Sequence, residues 1–193
     1  MAIRLDASAP EFERAFEKLL TAKRESSVDV NEAVAKIVAD VREHGDDALI
    51  ALTNRFDRLS LTAETLRISD ADLDAAVDAC DVETLAALKT AKARIEAYHA
   101  RQKPSDDRFT DAQGVELGHR WTPVGAVGLY VPGGTANYPS SVLMNAVPAK
   151  VAGVARVVMV VPTPDGKVNP LVLAAARLAG VDEVYRVGGA QAV

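Results

Sequence analysis

The sequence is almost free of cysteine, since Cys80 is the only one among 193 residues. A single cysteine excludes an internal disulfide and a cysteine-rich metal cluster. Cys80 lies in the segment DAAVDACDVE, where no positively charged neighbour in sequence could lower the pKa of its thiol. We therefore expect a small buried hydrophobic side chain rather than a reactive thiol.

Long apolar segments and an excess of positive charge are absent as well. No apolar run reaches the roughly 18 residues that a membrane-spanning helix needs. The opening residues, MAIRLDASAPEFE, carry charges at Arg4, Asp6 and Glu11 that prevent an apolar signal core. A formal net charge of −5 gives no general electrostatic reason to bind nucleic acid or an anionic membrane. These absences predict a cytoplasmic protein with no nucleic acid and no membrane among its partners.

The composition that remains is that of a soluble globular protein, with 49% hydrophobic and 25% charged residues. A chain of this length can build one sizeable core or two small domains that share an interface. The pattern of apolar residues changes near residue 120 and predicts two regions. Residues 1–120 form a helical region with a strand hairpin at its end, and residues 121–193 form an alternating strand–helix unit.

The residue pattern of the first region predicts helices whose ends are marked by capping residues and by residues that stop a helix. Ser8 with Glu11, and Asp29 with Glu32, have the spacing of a capping box, and Gly45 is a suitable helix end. The other boundaries are expected at Ser69, Val82, Gln102 and Pro104. Apolar stripes on these helices indicate packing against a core, so this region alone supports no functional argument.

The second region alternates between apolar strands and helices. After a strand pattern around 115–121, strands are expected at 126–131, 156–161 and 183–187, with helices from about Ser140 to Gly153 and from Asn169 to Gly180. This order predicts a parallel, Rossmann-like βαβαβ sheet, covered on both faces and incomplete at its C-terminal end. Pro148 falls inside the first of these helices and should kink it or split it in two.

Glycine and proline collect where the three strands end, in PGG (132–134), PTPDG (162–166) and GGAQ (188–191). Ligands of parallel sheets bind beyond the C-terminal ends of the strands, so three such loops favour a ligand edge over simple turns. Neither G-x-G-x-x-G nor G-x-x-x-x-G-K-[ST] occurs, so an ordinary dinucleotide fingerprint and a P-loop are both unsupported.

Two polar side chains stand out at this edge. Tyr130 ends the first strand and could stack on a flat ring, and Gln191 follows a glycine pair and could donate and accept hydrogen bonds. The same residues could equally be a core aromatic at the sheet edge and a polar residue in the first turn of a helix. The residues themselves leave both possibilities open.

The segments VGLYVPGGTANYPSSVLMNAVPAKVAGV and NPLVLAAARLAGVDEVYRVGGAQAV closely resemble the histidinol dehydrogenase family over residues 124–193. The resemblance implies an aldehyde-dehydrogenase-like architecture and oxidation of L-histidinol to L-histidine through L-histidinal, the last step of histidine biosynthesis. It also implies NAD as hydride acceptor, a zinc ion, and a homodimer with interlocked subunits. The NAD-contacting residues of the family fall on Tyr130 and Gln191, and the bare backbone at Gly133 and Gly134 would admit the cofactor.

The family's zinc ligands and its Glu-His acid–base pair come after GGAQA, so no metal ligand and no catalytic residue can be carried over to this chain. His44, His99 and His119 are too widely spaced in sequence to replace the zinc ligands. The chain is therefore expected to be the N-terminal part of an enzyme, inactive alone, whose sheet is cut after its third strand. That cut should leave an edge that needs to be paired or covered.

Two other functions remain open at this point. One is a dehydrogenase of the same family that acts on another small alcohol, such as a sulfonated diol. The other is a non-catalytic nucleotide-binding or assembly module.

Overall fold

A computed structural model of the chain describes residues 4–133 and 138–193, and for residues 22–29 it describes the backbone alone. The helices are α1 (Phe12–Asp57), α2 (Ala63–Leu66), α3 (Asp70–Asp78), α4 (Val82–Ala100), α5 (Pro139–Ala152) and α6 (Pro170–Ala179). The strands are β1 (Arg67–Ile68), β2 (Asp107–Thr110), β3 (Glu116–His119), β4 (Ala126–Tyr130), β5 (Arg156–Val160) and β6 (Glu183–Tyr185). The expected mixed α/β class is confirmed.

The main sheet has the strand order β1-β6-β5-β4, and β4, β5 and β6 run parallel. Val127 pairs with Val157, and Met159 with Val184, so the apolar residues of the three strands line up across one face. Val157 and Met159 of β5 and Val184 of β6 are fully inaccessible. All three strands predicted at 126–131, 156–161 and 183–187 are confirmed, each slightly shorter than predicted.

Helices cover one face of this sheet within the described part of the chain. α5 and α6 pack side by side, α4 packs on α5, and α3 packs on α6. On the other face, Val158 and Val160 are partly exposed, and Tyr130 is exposed. The prediction that both faces are covered is therefore wrong for the described residues, because both crossover helices pack on the same side of the sheet.

The edge of β6, which sequence reasoning expected to need pairing or covering, is paired by a strand from the helical region. β1 lies antiparallel to β6 through two residue pairs, Arg67 with Tyr185 and Ile68 with Val184. Ile68 is almost completely buried in the core that also contains Leu73 of α3. A strand of two residues is too short to show an alternating apolar pattern. Sequence reasoning therefore missed that the helical region supplies a strand to the sheet.

The helix ends of the second region follow the predicted chemistry. The side chain of Asn169 accepts a hydrogen bond from the backbone N–H of Leu171 at 2.8 Å, and Pro170 occupies the first turn. Gly153 and Gly180 end their helices in the left-handed conformation, at φ 93° and 76°. Pro148 was expected to kink its helix or split it in two, and the split is wrong, because α5 continues through Pro148 from Pro139 to Ala152.

The first helix is longer and less interrupted than the sequence indicated. Its backbone departs from helical geometry at Gly45 (φ 58°, ψ −133°), which confirms a break there. The expected boundary at Asp29 is wrong, since helix runs through that position. The capping box of Ser8 and Glu11 is also wrong: the Ser8 hydroxyl donates to the Asp6 carboxylate at 2.7 Å, and no side chain caps the start of α1.

Candidate functional site

The loops that follow β4, β5 and β6 meet around Pro162. A Cβ atom placed on Gly133 would lie 2.6 Å from Cγ of Pro162, and one on Gly188 would lie 2.4 Å from its Cβ. Both glycines are therefore required by the close approach of this proline ring. At Gly133, where the bare backbone was expected to admit a cofactor, Pro162 fills the space that a Cβ atom would take. Gly134 lies outside the described residues.

The two predicted site residues are brought together at the loop after β6. The backbone N–H of Gly189 donates to the hydroxyl oxygen of Tyr130 at 3.0 Å, which joins the ends of β4 and β6 across the sheet. Gly189 has a positive φ of 65°, and a Cβ there would lie 2.6 Å from Oε1 of Gln191. Tyr130 and Gln191 therefore flank the same glycine.

The two side chains differ sharply in exposure. The ring of Tyr130 is accessible at 43%, whereas Gln191, in the 3-10 turn Ala190–Ala192, is accessible at only 5%. This turn packs against α1. Among the described residues, Oε1 of Gln191 has no hydrogen-bond partner, so a buried acceptor is left to be satisfied by another group.

The hydroxyls of Thr53 in α1 and Thr163 after β5 are also buried without a partner among the described residues. The loop that carries Thr163 is joined to the end of α1 at two points. The N–H of Thr163 donates to the Asp57 carboxylate at 3.2 Å, and the Arg58 guanidinium donates to Asp165 at 2.6 and 2.7 Å. The hydrogen bonds from Arg58 hold the pKa of the Asp165 carboxyl below its usual range. The end of α1 thus fixes the loop beside Pro162.

Sequence reasoning found the ends of the strands but missed what holds them together. Asp57 and Arg58 lie more than 100 residues away from the loop that they bind, and no local pattern in the sequence connects the two. Only Pro162 carried a signal, because a proline between two glycine-containing loops is consistent with close packing at a strand end.

The described residues contain no group of three or more His, Cys, Asp or Glu side chains placed to hold a metal ion. His44 pairs with Asp40 one turn earlier in α1, His99 lies at the end of α4, and His119 lies in β3. The Cys80 thiol donates to the carbonyl of Ala76, and burial raises the pKa of that thiol, so it is not activated as a nucleophile. No helix in the described part of the chain is long and apolar enough to cross a membrane.

A cavity of about 690 Å³ lies at the other end of the sheet, away from Tyr130 and Gln191. Its walls come from the end of α4, the segment before β4 and the end of α5, and include Trp121 and Pro148. Because it lies beyond the N-terminal ends of the strands, it is not the ligand edge that a parallel sheet normally provides.

Together these features define an α/β protein with a three-stranded parallel sheet, a short antiparallel edge strand and a polar site at the C-terminal end of the sheet. The family model for histidinol dehydrogenase matches residues 20–193. The chain belongs to the histidinol dehydrogenase family.

Individual relatives agree with this assignment. The histidinol dehydrogenase of Bradyrhizobium diazoefficiens is 64% identical over 193 residues, which are all of this chain and 45% of the relative. The histidinol dehydrogenase of Rhodospirillum rubrum is 62% identical over 193 residues, which are all of this chain and 44% of that relative. The crystal structure of histidinol dehydrogenase from Elizabethkingia anophelis superimposes with a TM-score of 0.79 at 33% identity, covering 84% of this chain and 37% of that one. The chain therefore spans less than half the length of these relatives.

Proposed function

We propose that this chain forms the NAD-binding part of a dehydrogenase that oxidises L-histidinol to L-histidine through L-histidinal, the final step of histidine biosynthesis. The names of its relatives and the match over residues 20–193 support the substrate. The proposal includes Tyr130 and Gln191 as NAD contacts and a zinc ion held by residues outside these 193. It also includes a cytoplasmic homodimer of the whole enzyme and no activity of this chain alone.

The observation that carries the cofactor proposal is the unsatisfied Oε1 of Gln191 beside the Tyr130–Gly189 hydrogen bond. A buried amide oxygen is stabilised by a donor, and the carboxamide, amino and hydroxyl groups of a dinucleotide are donors of this kind. The half-exposed ring of Tyr130 offers a flat surface on which an aromatic base can stack. Both features lie at the strand ends, where ligands of parallel sheets bind.

The chemistry that this chain supplies is binding and orientation. NAD, when bound, accepts a hydride, and two such transfers with one water convert the alcohol to the acid. Tyr130 would hold its position through the N–H of Gly189, and the Gln191 amide would orient one polar edge of the cofactor. Zinc binding needs a cluster of ligands that the described residues do not bring together.

Two finer features of the architecture belong to the same proposal. We regard β4–α5–β5–α6–β6 as an incomplete Rossmann-like unit of an aldehyde-dehydrogenase-like enzyme. The boundary between a region of residues 1–120 and a region of residues 121–193 stays a prediction. In the structure, β1 and the helices α3 and α4 of the first region share a core with the second.

The cofactor site is tested by a substitution that keeps the volume of Gln191. Gln191→Met removes the amide but preserves packing, and Gln113→Met makes the same change on the exposed hairpin turn. We expect Gln191→Met to weaken NAD+ binding about three- to tenfold by calorimetry, the value of one hydrogen bond, with little change in thermal stability. Equal affinities for Gln191→Met and Gln113→Met would remove Gln191 from the site.

The activity is tested in a chimaera of residues 1–193 with the remaining length of the Bradyrhizobium diazoefficiens relative. We expect histidinol-dependent formation of NADH by the chimaera and none by residues 1–193 alone. Gln191→Met should raise the KM for NAD+ in the chimaera. Turnover of a sulfonated diol but not of histidinol would favour the other family activity. Binding of NAD+ without turnover in the chimaera would favour a non-catalytic module.

A further inference from the structure

The last turns of α1 cover the C-terminal end of the sheet. In the described part of this helix, Ala48 and Thr53 are the only buried residues, and both come after the break at Gly45. The earlier part of α1 is mostly exposed in the described residues. We call residues 46–57 the strap, because this part of the helix lies against the rest of the protein.

The strap covers the turn that carries Gln191. α1 packs against the 3-10 turns Pro164–Gly166 and Ala190–Ala192, and Gln191 is the buried residue of the second turn. Apart from α1, no described helix or strand makes more than marginal contact with that second turn. The accessibility of Gln191 therefore depends on the position of the strap.

Three buried oxygen atoms at this interface have no hydrogen-bond partner among the described residues. They are Oγ1 of Thr53 in the strap, Oγ1 of Thr163 and Oε1 of Gln191. All three are essentially inaccessible, so water does not reach them while the strap is closed. A buried polar group without a partner has lost its hydrogen bonds to water and gained none in exchange. Opening the strap would hydrate these atoms, which lowers the cost of opening.

Apolar packing does little to hold the strap closed. Its buried apolar residue is Ala48, which has a small side chain. The hydrophobic core of the sheet unit takes in residues of α3, α4, α5 and α6, but none of the strap in the described part of the chain. A segment with few buried apolar contacts opens at a lower free energy than the core does.

Polar contacts at the end of α1 hold the strap in place. The Asp57 carboxylate accepts from the N–H of Thr163 at 3.2 Å, and the Arg58 guanidinium donates to both carboxylate oxygens of Asp165 at 2.6 and 2.7 Å. The side chains of Arg58 and Asp165 are 63% and 53% accessible, so solvent screens their attraction. These contacts form a latch that is weak enough to be released.

Backbone conformation at the two ends of the strap is also suited to movement. Arg58 and Asp165 are the only non-glycine residues with positive φ in the described part of the chain, at 56° and 55°, a conformation that is unfavourable for residues with a side chain. At the other end, Gly45 has a φ of 58°, and a Cβ there would meet nothing within 4 Å. Glycine at this position therefore serves the backbone break rather than close packing.

We propose that the strap is a gate over the candidate site. It moves about Gly45 when Arg58 and Asp165 separate, and the open arrangement exposes Gln191 to the cofactor. The inference rests on the proposed function, because it takes Gln191 to contact NAD. A side chain that is 5% accessible cannot meet a ligand in the closed arrangement. A ligand that binds only the open arrangement shifts the equilibrium toward it.

The opening is tested by hydrogen exchange, followed by NMR at two neighbouring amides. The N–H of Thr163 is bonded to Asp57 of the strap, whereas the N–H of Val161 donates to the Tyr185 carbonyl at 3.0 Å. Amides protected by a segment that opens locally exchange faster than amides that need global unfolding. We expect a protection factor at least about tenfold lower at Thr163 than at Val161. Equal protection would mean that the strap leaves only when the protein unfolds, which would overturn the proposal.

Two substitutions should move the opening in opposite directions. Thr53→Val replaces an unpartnered hydroxyl by a methyl group of similar size, which stabilises the closed strap and should slow exchange at Thr163 about fivefold. Arg58→Gln removes the ion pair with Asp165 and should speed that exchange about two- to fivefold. Faster exchange in Thr53→Val would reveal a partner for the hydroxyl, and an unchanged rate in Arg58→Gln would show that the pair is no latch. Either result contradicts the gate.

Each substitution has a matched control in an element that makes at most marginal contacts with α1. Thr90→Val makes the same change in α4, where the Thr90 hydroxyl donates to the Ala86 carbonyl at 2.9 Å. Arg108→Gln breaks the ion pair between Arg108 and Glu116 on the hairpin of β2 and β3. Both controls should leave exchange at Thr163 unchanged. If a control has the effect of its partner, the change does not come from the strap and the proposal fails.

The gate also predicts the order of NAD+ affinities, which calorimetry measures. Apparent affinity scales with the fraction of protein that is open, so Thr53→Val should weaken binding about fivefold and Arg58→Gln should strengthen it. Loss of a positive charge near an anionic dinucleotide would by itself have the opposite effect. Equal affinities in the two variants and the parent would overturn the gate and leave the proposed activity intact. A parent that binds no NAD+ would count against the proposed function, and exchange at Thr163 would still decide whether the strap opens.

Discussion

The sheet unit and the first part of α1 have similar apolar patterns but very different surroundings. In the unit of β4–α5–β5–α6–β6, Val157 and Met159 of β5 and most apolar residues of α6 are buried. In α1, Phe16 and Leu19 are each 39% accessible and Leu20 is 46% accessible. Among the described residues, the main contacts of α1 with other elements are to α2 and to the 3-10 turns Pro164–Gly166 and Ala190–Ala192.

This difference shows that an apolar stripe on a helix indicates a surface that needs a packing partner. The stripe does not show whether these residues supply that partner. The stripes of α5 and α6 meet each other and the sheet within these residues, so their burial follows from local connections. The stripe at the start of α1 begins with a stacked pair, Phe12 and Phe16, whose ring centroids are 5.6 Å apart. That pair supports the helix locally without burying it in a core.

The largest expected effect contrasts one residue from each region. Met159→Ala removes a fully buried side chain from the central strand and should lower the free energy of unfolding by about 2–5 kcal/mol. Phe16→Ala should change it by about 0.5 kcal/mol or less, since only the contact along the helix is lost. Urea unfolding followed by circular dichroism measures both. Similar losses for the two variants would show that α1 is packed much like the sheet unit.

Sequence patterns predicted those parts of the molecule whose causes are local. The caps at Ser69 and Asn169, the glycine helix ends and the three parallel strands all follow from residues within a few positions of each other. The pairing of β1 with β6 and the contact of Asp57 with Thr163 were missed, because each joins segments more than 100 residues apart. Pairings of that kind depend on the assembled fold, which local periodicity does not report.

The candidate site shows the same limit. Tyr130 and Gln191 were singled out by their positions at strand ends, and the structure places both beside Gly189. The sequence did not reveal that Gln191 is buried or that Pro162 fills the space next to Gly133. Glycine is compatible with a ligand and with a close protein contact, and only the neighbouring side chain distinguishes the two.

The next expected effect tests the packing around Pro162. Gly188→Ala would place a Cβ 2.4 Å from that of Pro162, and such overpacking should lower the free energy of unfolding by about 1–3 kcal/mol. Gly128→Ala is the control, because a Cβ on that strand residue meets nothing within 4 Å. Thermal unfolding compares the two variants. If the Gly188→Ala protein is as stable as Gly128→Ala, the loop shifts to accommodate the added Cβ at little cost in stability.

A smaller effect concerns how helices begin in the two regions. Asn169→Ala removes the acceptor at the start of α6 and should lower the free energy of unfolding by about 1 kcal/mol. Ser8→Ala should cause no measurable change, since Ser8 bonds to Asp6 and does not cap α1. Urea titrations of both variants provide the measurement. A clear loss of stability in Ser8→Ala would restore the capping box that sequence reasoning proposed.

The smallest expected effect is a pH dependence on the open face of the sheet unit. The Arg156 guanidinium, at 2.6 and 3.0 Å, and then the Tyr185 hydroxyl lower the pKa of Glu183 from 4.5 to about 2. Below pH 4.5 the unfolded chain therefore binds a proton at this residue more readily than the folded chain does. The stabilisation is complete above about pH 4.5 and is lost as the pH falls toward 2.

Arg156→Gln should reduce this part of the acid sensitivity, because its guanidinium is the largest cause of the lowered pKa. The free energy of unfolding of the variant should then change less with pH between 4.5 and 2 than that of the parent. Lys89→Gln makes the same change of charge on an exposed position of α4 and should keep the slope of the parent. If the slope of Arg156→Gln also equals that of the parent, the ion pair is screened by solvent too strongly to favour the folded state.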